Sequence, residues 1–227
     1  MNIFLLDVIA ALAANYHCDK HCIKMILETT QLLYTAWWFG RDHLDLPELD
    51  PCPWDPYRPT HQNHPSAIWA RADPAHYHWL LKLGYALCKE FYQRYGGKFH
   101  KCMDHLDRLQ AMGAPPHVGI ETYQPPTHKC ATTGLPDGIK FFHCAINDEV
   151  WDPVYTNGKL NAVETYRRYY KTKSWGLKWY RGLRGAPNWY RPAREQVSTP
   201  TVQACQHIQV SNGSDIAFGA LELVSAT

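Results

Sequence analysis

The feature that most constrains this chain is a run over residues 8–38 whose polar groups fall on one line. Stepping by four and three from His17 reaches His21, Lys24, Glu28, Gln31 and Thr35, the spacing that stacks side chains on one face of an α-helix. Cys18, Cys22, Ile23, Met25, Ile26, Leu27, Leu32 and Leu33 fill the rest of the circumference. The periodicity predicts a helix from residue 8 or 11 to residue 38, ended by Gly40, and a helix so apolar all round is buried. Buried ionisable groups must pair, hydrogen-bond or open onto a watery cleft. A cleft lined by this stripe is the reading that leads to function.

Around that helix the chain reads as mainly α, a compact single-domain helical bundle with long loops and an irregular C-terminal tail. Its 227 residues are enough for one sizeable core. Residues 1–7 form a short apolar extended lead. They carry no basic flank, and Asp7 interrupts them before they could act as a signal peptide or span a bilayer. The expectation is a cytoplasmic protein, in the host cytoplasm if the chain is viral, with no membrane partner and acting as a monomer. The 8 cysteines show no C-x-x-C spacing and read as reduced structural thiols. Residues 41–63 are proline-rich and aperiodic, a surface loop. A helix then begins at His64-Pro65-Ser66 and restarts at Asp73-Pro74, where Asp caps and Pro suits the first turn. It runs to a stop at Gly96-Gly97. A short helical segment follows near residues 103–112, then a proline- and glycine-rich run to Gly138 with no regular structure expected. The last helix spans residues 161–175, with Asn161 as its cap.

The net charge of +2 hides an asymmetry: residues 155–194 hold ten Lys or Arg against one acid, Glu164, with nine Trp or Tyr interleaved. Cations neutralise phosphates and aromatic faces stack on exposed bases, so the segment suggests a nucleic-acid partner. An aromatic-cored helix with a solvated basic face fits the same pattern.

Three constellations carry chemistry. His17 and His21, four apart, can reach one metal ion. Cys18 and Cys22 are rotated about 100° away, so a metal would need distant ligands, and no complete metal or cofactor motif is present. Glu28 suits acid/base work, with Lys24 opposing any rise of its pKa; a plain Lys24–Glu28 ion pair is the structural alternative. His61-Gln62-Asn63-His64-Pro65 with Arg71 offers a phosphate site at a helix start, or simply a cap and turn.

At three places in the correct order, covering about half the chain, the sequence resembles the pyrimidine-dimer DNA glycosylases of the endonuclease V type found in phages and bacteria. DKHCIKMILE is similar to the helix carrying that family's catalytic glutamate. The span from HPSAIWAR to EFYQRYGGKFHK is similar to its second core helix with a glycine turn and basic residues. APNWY is similar to its C-terminal Pro-x-Trp-Tyr segment near DNA. The resemblance implies a domain over residues 1–192 that flips a nucleotide out of the duplex, followed by a tail over 193–227. It also implies attack by an N-terminal amine on the sugar carbon, then strand cleavage through a Schiff base. An α-amine ordinarily titrates at about 7.7–8.0, so a sizeable fraction is neutral at physiological pH.

Carried onto this chain, Glu28 takes the place of the catalytic glutamate and His21 that of its neighbouring histidine. Asn2 follows Met1 where the family has a small residue, and Leu27 and Gln31 stand where it has arginines. The expected catalytic set is Glu28, His21, Lys24 as a fallback amine, Met1 and Asn2. The expected substrate-binding set is His17, Gln31, His64, Arg71, Arg167, Arg168, Lys171, Trp189 and Tyr190, with DNA as partner and no cofactor. The expected function is base excision with AP lyase activity. Its alternatives are an enzyme that modifies a base or nucleotide without excision, and a non-catalytic nucleic-acid or zinc-binding module.

Overall fold

A computed structural model describes residues 1–44, 56–119, 127–173, 176–182 and 185–190. All of them belong to one compact unit, Met1–Arg191. Its secondary structure is helical apart from two small strand pairs, as the sequence pattern predicts. None of the described helices is long and apolar enough to cross a membrane.

The first long helix is in fact two. α1 covers Ala10–Tyr16 and α2 covers Asp19–Leu44, with His17 and Cys18 extended between them. No Gly or Pro marks this break. Its cause lies far along the chain in Arg94, whose side chain is 1% exposed. Its Nη1 donates to His17 O at 2.7 Å and its Nη2 to Asn15 O at 2.8 Å, satisfying carbonyls that a helix end leaves open. The same guanidinium pairs with Glu90 at 2.9 Å and with Asp19, in the first turn of α2, at 3.4 Å. α2 also runs through Gly40, the expected stop, to Leu44.

α3 (Pro65–Ala72) and α4 (Pro74–Arg94) begin where His64-Pro65 and Asp73-Pro74 predict. His64 Nδ1 accepts from Ser66 N–H at 3.1 Å and Asp73 Oδ1 from Ala75 N–H at 2.8 Å, each covering an orphan donor of its helix start. α4 packs against α1 and α2, with α3 and α5 (Cys102–Met112) beside them. The core between these helices holds Leu32, Leu33, Tyr34, Trp69, Tyr77, Leu80, Leu87 and Leu106, all nearly inaccessible.

The stretch after α5 is less irregular than its prolines suggest. β1 (Cys130–Ala131) pairs antiparallel with β2 (Phe142–His143). β3 (Tyr155–Thr156) and β4 (Lys159–Leu160) form a hairpin. Asn157 (φ 51) and Gly158 (φ 72) make its two-residue turn, the left-handed pair a tight hairpin requires. α6 (Ala162–Thr172) follows, with Asn161 Oδ1 accepting from Glu164 N–H at 3.0 Å. Gly134 closes over that cap, and a side chain there would collide with the Asn161 carboxamide. Cys18, Cys22, Cys88, Cys102 and Cys144 are buried, unpaired thiols. Residues 45–55 of the expected loop and the tail over 193–227 lie outside the described residues.

Candidate functional site

The extended lead positions the site. Ile3, Phe4, Leu5 and Leu6 are all buried, which threads the chain start through the core and sets residue 2 against α2. The Asn2 backbone N–H donates to Glu28 Oε2 at 3.0 Å. Lys24, one turn before Glu28, approaches the other oxygen, Oε1, at 3.1 Å. Both carboxylate oxygens are thus engaged, one by a residue 26 positions away in sequence.

The Asn2 side chain is held as firmly. Its Nδ2 donates to Ala145 O at 3.1 Å, and Tyr166 Oη donates to its Oδ1 at 2.9 Å. Tyr166 Oη in turn accepts from Ala145 N–H at 3.0 Å. This closed set fixes a carboxamide between α6 and the segment after β2. Tyr166 is fully buried, so its hydroxyl has no water to turn to. Asn2, which stands where the resembled family has a small residue, is therefore a built part of the structure.

His21 stands one turn before Lys24. The Tyr170 hydroxyl accepts from Cys18 N–H at 3.0 Å and shares a hydrogen bond with His21 Nδ1 at 2.7 Å. Phe4 stacks on the ring at 4.9 Å. Burial, with the Lys24, Lys173 and Lys20 ammonium groups, pushes His21 down to about 4, so it is neutral at physiological pH. His17, the origin of the predicted stripe, is not on α2. It ends α1, fully buried, its Nδ1 donating to Ala13 O at 2.6 Å, and burial pushes it down to about 3. The stripe begins at His21, and the four-residue histidine pair of the metal reading does not share a helix. Among the described residues no group of three or more His, Cys, Asp or Glu is placed to hold a metal.

His64, the cap of α3, is near enough to feel the charges of the site. Burial lowers its pKa, with help from the N-terminal ammonium and His61, while Glu28 opposes them. A polar crevice of about 230 Å³ lies there, lined by His64, Lys129, His143, Ala145 and Asn147. Gln31 is half-buried one turn past Glu28.

The remaining expected binding residues divide. Arg71 is buried, donates to Gln62 O at 2.7 Å and lies 3.9 Å over the Phe39 ring, so it anchors the turn before α3. Arg167 is committed to Leu6 O, Asp7 and Glu164. It ties α6 to the extended lead. Arg168 pairs with Asp152 at 2.9 Å on the surface, and Lys171 is exposed. Trp189 and Tyr190 pack on Tyr16, Tyr170 and Trp179. Tyr166 and Tyr170, two of the interleaved aromatics, belong to the core. Lys171, Lys178, Tyr180 and Arg181 remain on the surface. Sequence reasoning missed Ala145 and the role of Tyr166 entirely, since no local signal marks either.

Comparison with known proteins finds no match among family models, curated proteins or solved structures.

Proposed function

We propose that this chain is a DNA base-processing enzyme of the glycosylase/lyase kind, acting on a flipped nucleotide. In it the Asn2 nitrogen, once Met1 is removed, is the nucleophile, and Glu28 handles charge and protons. The observation that carries this reading is the 3.0 Å contact between Asn2 N and Glu28 Oε2. It meets the requirement that a nucleophile and its base lie within hydrogen-bond reach. The clamp on the Asn2 side chain supplies the positioning that makes such a pair effective.

In the reaction, the neutral amine attacks C1′ and the bond from C1′ to the base breaks, its electron pair leaving with the base. The base takes up a proton, and the attacking nitrogen gives one to Glu28. Opening of the sugar ring, with the proton on Glu28 passing to the ring oxygen as the C1′–O4′ bond breaks, yields a protonated imine. Loss of a C2′ proton then expels the 3′ phosphate by β-elimination. Glu28, whose side chain is 12% exposed, stabilises positive charge on the sugar in this reading. Neutral His21 lies on the same face of α2 as Glu28, and His64 lines the polar crevice beside Ala145.

The test is borohydride trapping on an oligonucleotide bearing an abasic site, with intact-mass measurement of the purified chain. A covalent adduct mapped to Asn2, on protein lacking Met1, is the expected result. Absence of any adduct with abasic or modified substrates removes the reading, and an adduct on Lys24 or Met1 moves the nucleophile. One observation favours a second reading: with Met1 attached, the Asn2 nitrogen is an amide whose lone pair is delocalised. Glu28 would then serve group transfer to a base without excision. Mass spectrometry of nucleosides after incubation separates the two, free base supporting the first and a mass-shifted intact nucleoside the second.

A further inference from the structure

α4 ends at Arg94, and Gly96 (φ 67) and Gly97 (φ 76) turn the chain back, with Gly97 N–H donating to Tyr92 O at 2.9 Å. The turn pushes residues 98–101, Lys-Phe-His-Lys, outward. Phe99 is 76% exposed, more than any other purely hydrocarbon large side chain among the described residues. Three more of the exposed large apolar residues gather beside it. The Tyr92 ring lies 5.0 Å from its own, and Ile23 and Leu27 of α2 share a groove with it. That groove, about 340 Å³, is walled by Phe99, Phe91, Tyr57, Ile23 and Leu27 and edged by Lys24 and Lys101. A second hollow, about 210 Å³, lies on the other side of Phe99 beside Tyr92 and Lys89. Among the described residues no carboxylate lines either hollow. Lys24, at the groove edge, is paired with Glu28 at 3.1 Å.

So large an apolar exposure in one place marks an interaction surface. Its cations, Lys24, Lys89, Lys98 and Lys101, select the partner. An exposed aromatic face framed by lysines is what unpaired bases and their phosphates require. We propose that Phe99 is a stacking platform for an unpaired nucleobase, with Lys98 and Lys101 taking the flanking phosphates. A strand bound there runs past Lys24 and so beside the Asn2–Glu28 pair. The proposal rests on the reading above only in taking the strand to be DNA. It needs no amine chemistry.

The test uses the full chain and an unmodified single-stranded DNA oligonucleotide carrying 2-aminopurine, whose fluorescence is quenched on stacking. Wild type is expected to quench it. Phe99→Ala should weaken binding about ten-fold and abolish the quench, Phe99→Trp should restore both, and Phe99→Leu, which keeps apolar area without a ring face, should not. Lys101→Glu should weaken binding and flatten its salt dependence. Because Phe99 is exposed, the urea midpoint should stay that of wild type. Equal binding by wild type and Phe99→Leu overturns the proposal. So does a Phe99→Ala effect confined to vesicles of neutral and anionic phospholipid, which makes the patch a lipid contact. A dimer seen by sedimentation and lost in Phe99→Ala overturns it too, making the patch a self-interface. Quenching without a borohydride adduct would retire the lyase reading and leave this one standing; an adduct without quenching would do the reverse.

Discussion

Substituting Tyr166 by Phe tests the claim that residue 2 is held deliberately. The ring is fully buried and would keep its packing, so only the hydroxyl changes. That hydroxyl makes two hydrogen bonds, donating to Asn2 Oδ1 at 2.9 Å and accepting from Ala145 N–H at 3.0 Å. Each neutral bond is worth about 1 kcal/mol net, and a buried partner left stranded costs about 1–3 kcal/mol. Asn2 and Ala145 are both half-buried, so each lost bond is only partly replaced by water and the expected loss is about 2–3 kcal/mol. With a urea m-value of about 2 kcal/mol/M, the midpoint falls by about 1 M at unchanged slope. Tyr169→Phe is the control, because that hydroxyl makes no hydrogen bond to the described residues; it should stay within about 0.5 kcal/mol of wild type. Amide exchange at Ala145 should accelerate in Tyr166→Phe alone. The trapping yield should fall with it, since the nitrogen loses its placement on Glu28. A Tyr166→Phe protein as stable as the control, with Ala145 exchange unchanged, would show that the clamp contributes nothing and that the Asn2–Glu28 contact is incidental.

Glu28→Gln separates chemistry from stability. The Lys24 partner is 58% exposed, so the ion pair contributes about 0.3–0.5 kcal/mol, and the amide oxygen can still accept from Asn2 N–H. Stability should change by about 1 kcal/mol or less while trapping slows about 100-fold or more; a slowing of less than about ten-fold removes Glu28 from the mechanism. Arg94→Met strands Glu90, Asp19 and the two carbonyls at the end of α1, and should cost about 3–5 kcal/mol in urea denaturation. A loss under about 1 kcal/mol would mean the α1–α2 break needs no guanidinium. Acid should unfold the chain early, because His17 at about 3, and His21 and His143 at about 4, lie below the 6.5 they regain on unfolding. The unfolded chain therefore binds protons that the folded one refuses. The contribution of these three rings is flat above pH 6.5 and falls as the pH drops from there toward 4, by about 1.4 kcal/mol per pH unit for each histidine. Urea midpoints equal at pH 7 and pH 5 would contradict their burial as neutral rings.

What the chain makes legible is what lies one helical turn apart. His21, Lys24 and Glu28 share a face of α2 because their spacing is helical, and the Lys24–Glu28 contact follows from that spacing alone. The caps at His64, Asp73 and Asn161 are equally local. The same rule misplaced His17, since its spacing to His21 continues the pattern while the helix is broken between them by Arg94, more than seventy residues on. The Asn157-Gly158 turn carried a local hairpin signal that went unread under the surrounding basic residues. In α6, Val163, Tyr166 and Tyr170 repeat at helical spacing, and burial of that face decided between the two readings of the aromatic segment for these residues.

The site adds a further requirement. A helix face can nominate a carboxylate, but only the fold decides what stands opposite it. Here that is residue 2, placed by four buried residues of the lead and by contacts with Ala145 and Tyr166, 143 and 164 positions away. No periodicity spans such separations. Resemblance nominated Asn2 through chain position, and the folded chain brings its nitrogen to Glu28 by packing. The two routes share no premise: one is an analogy of order along the sequence, the other a consequence of burying residues 3–6. Because both bear on residue 2 and Glu28, these two positions, ahead of the broader stripe or the basic segment, are the place where substitution is most informative.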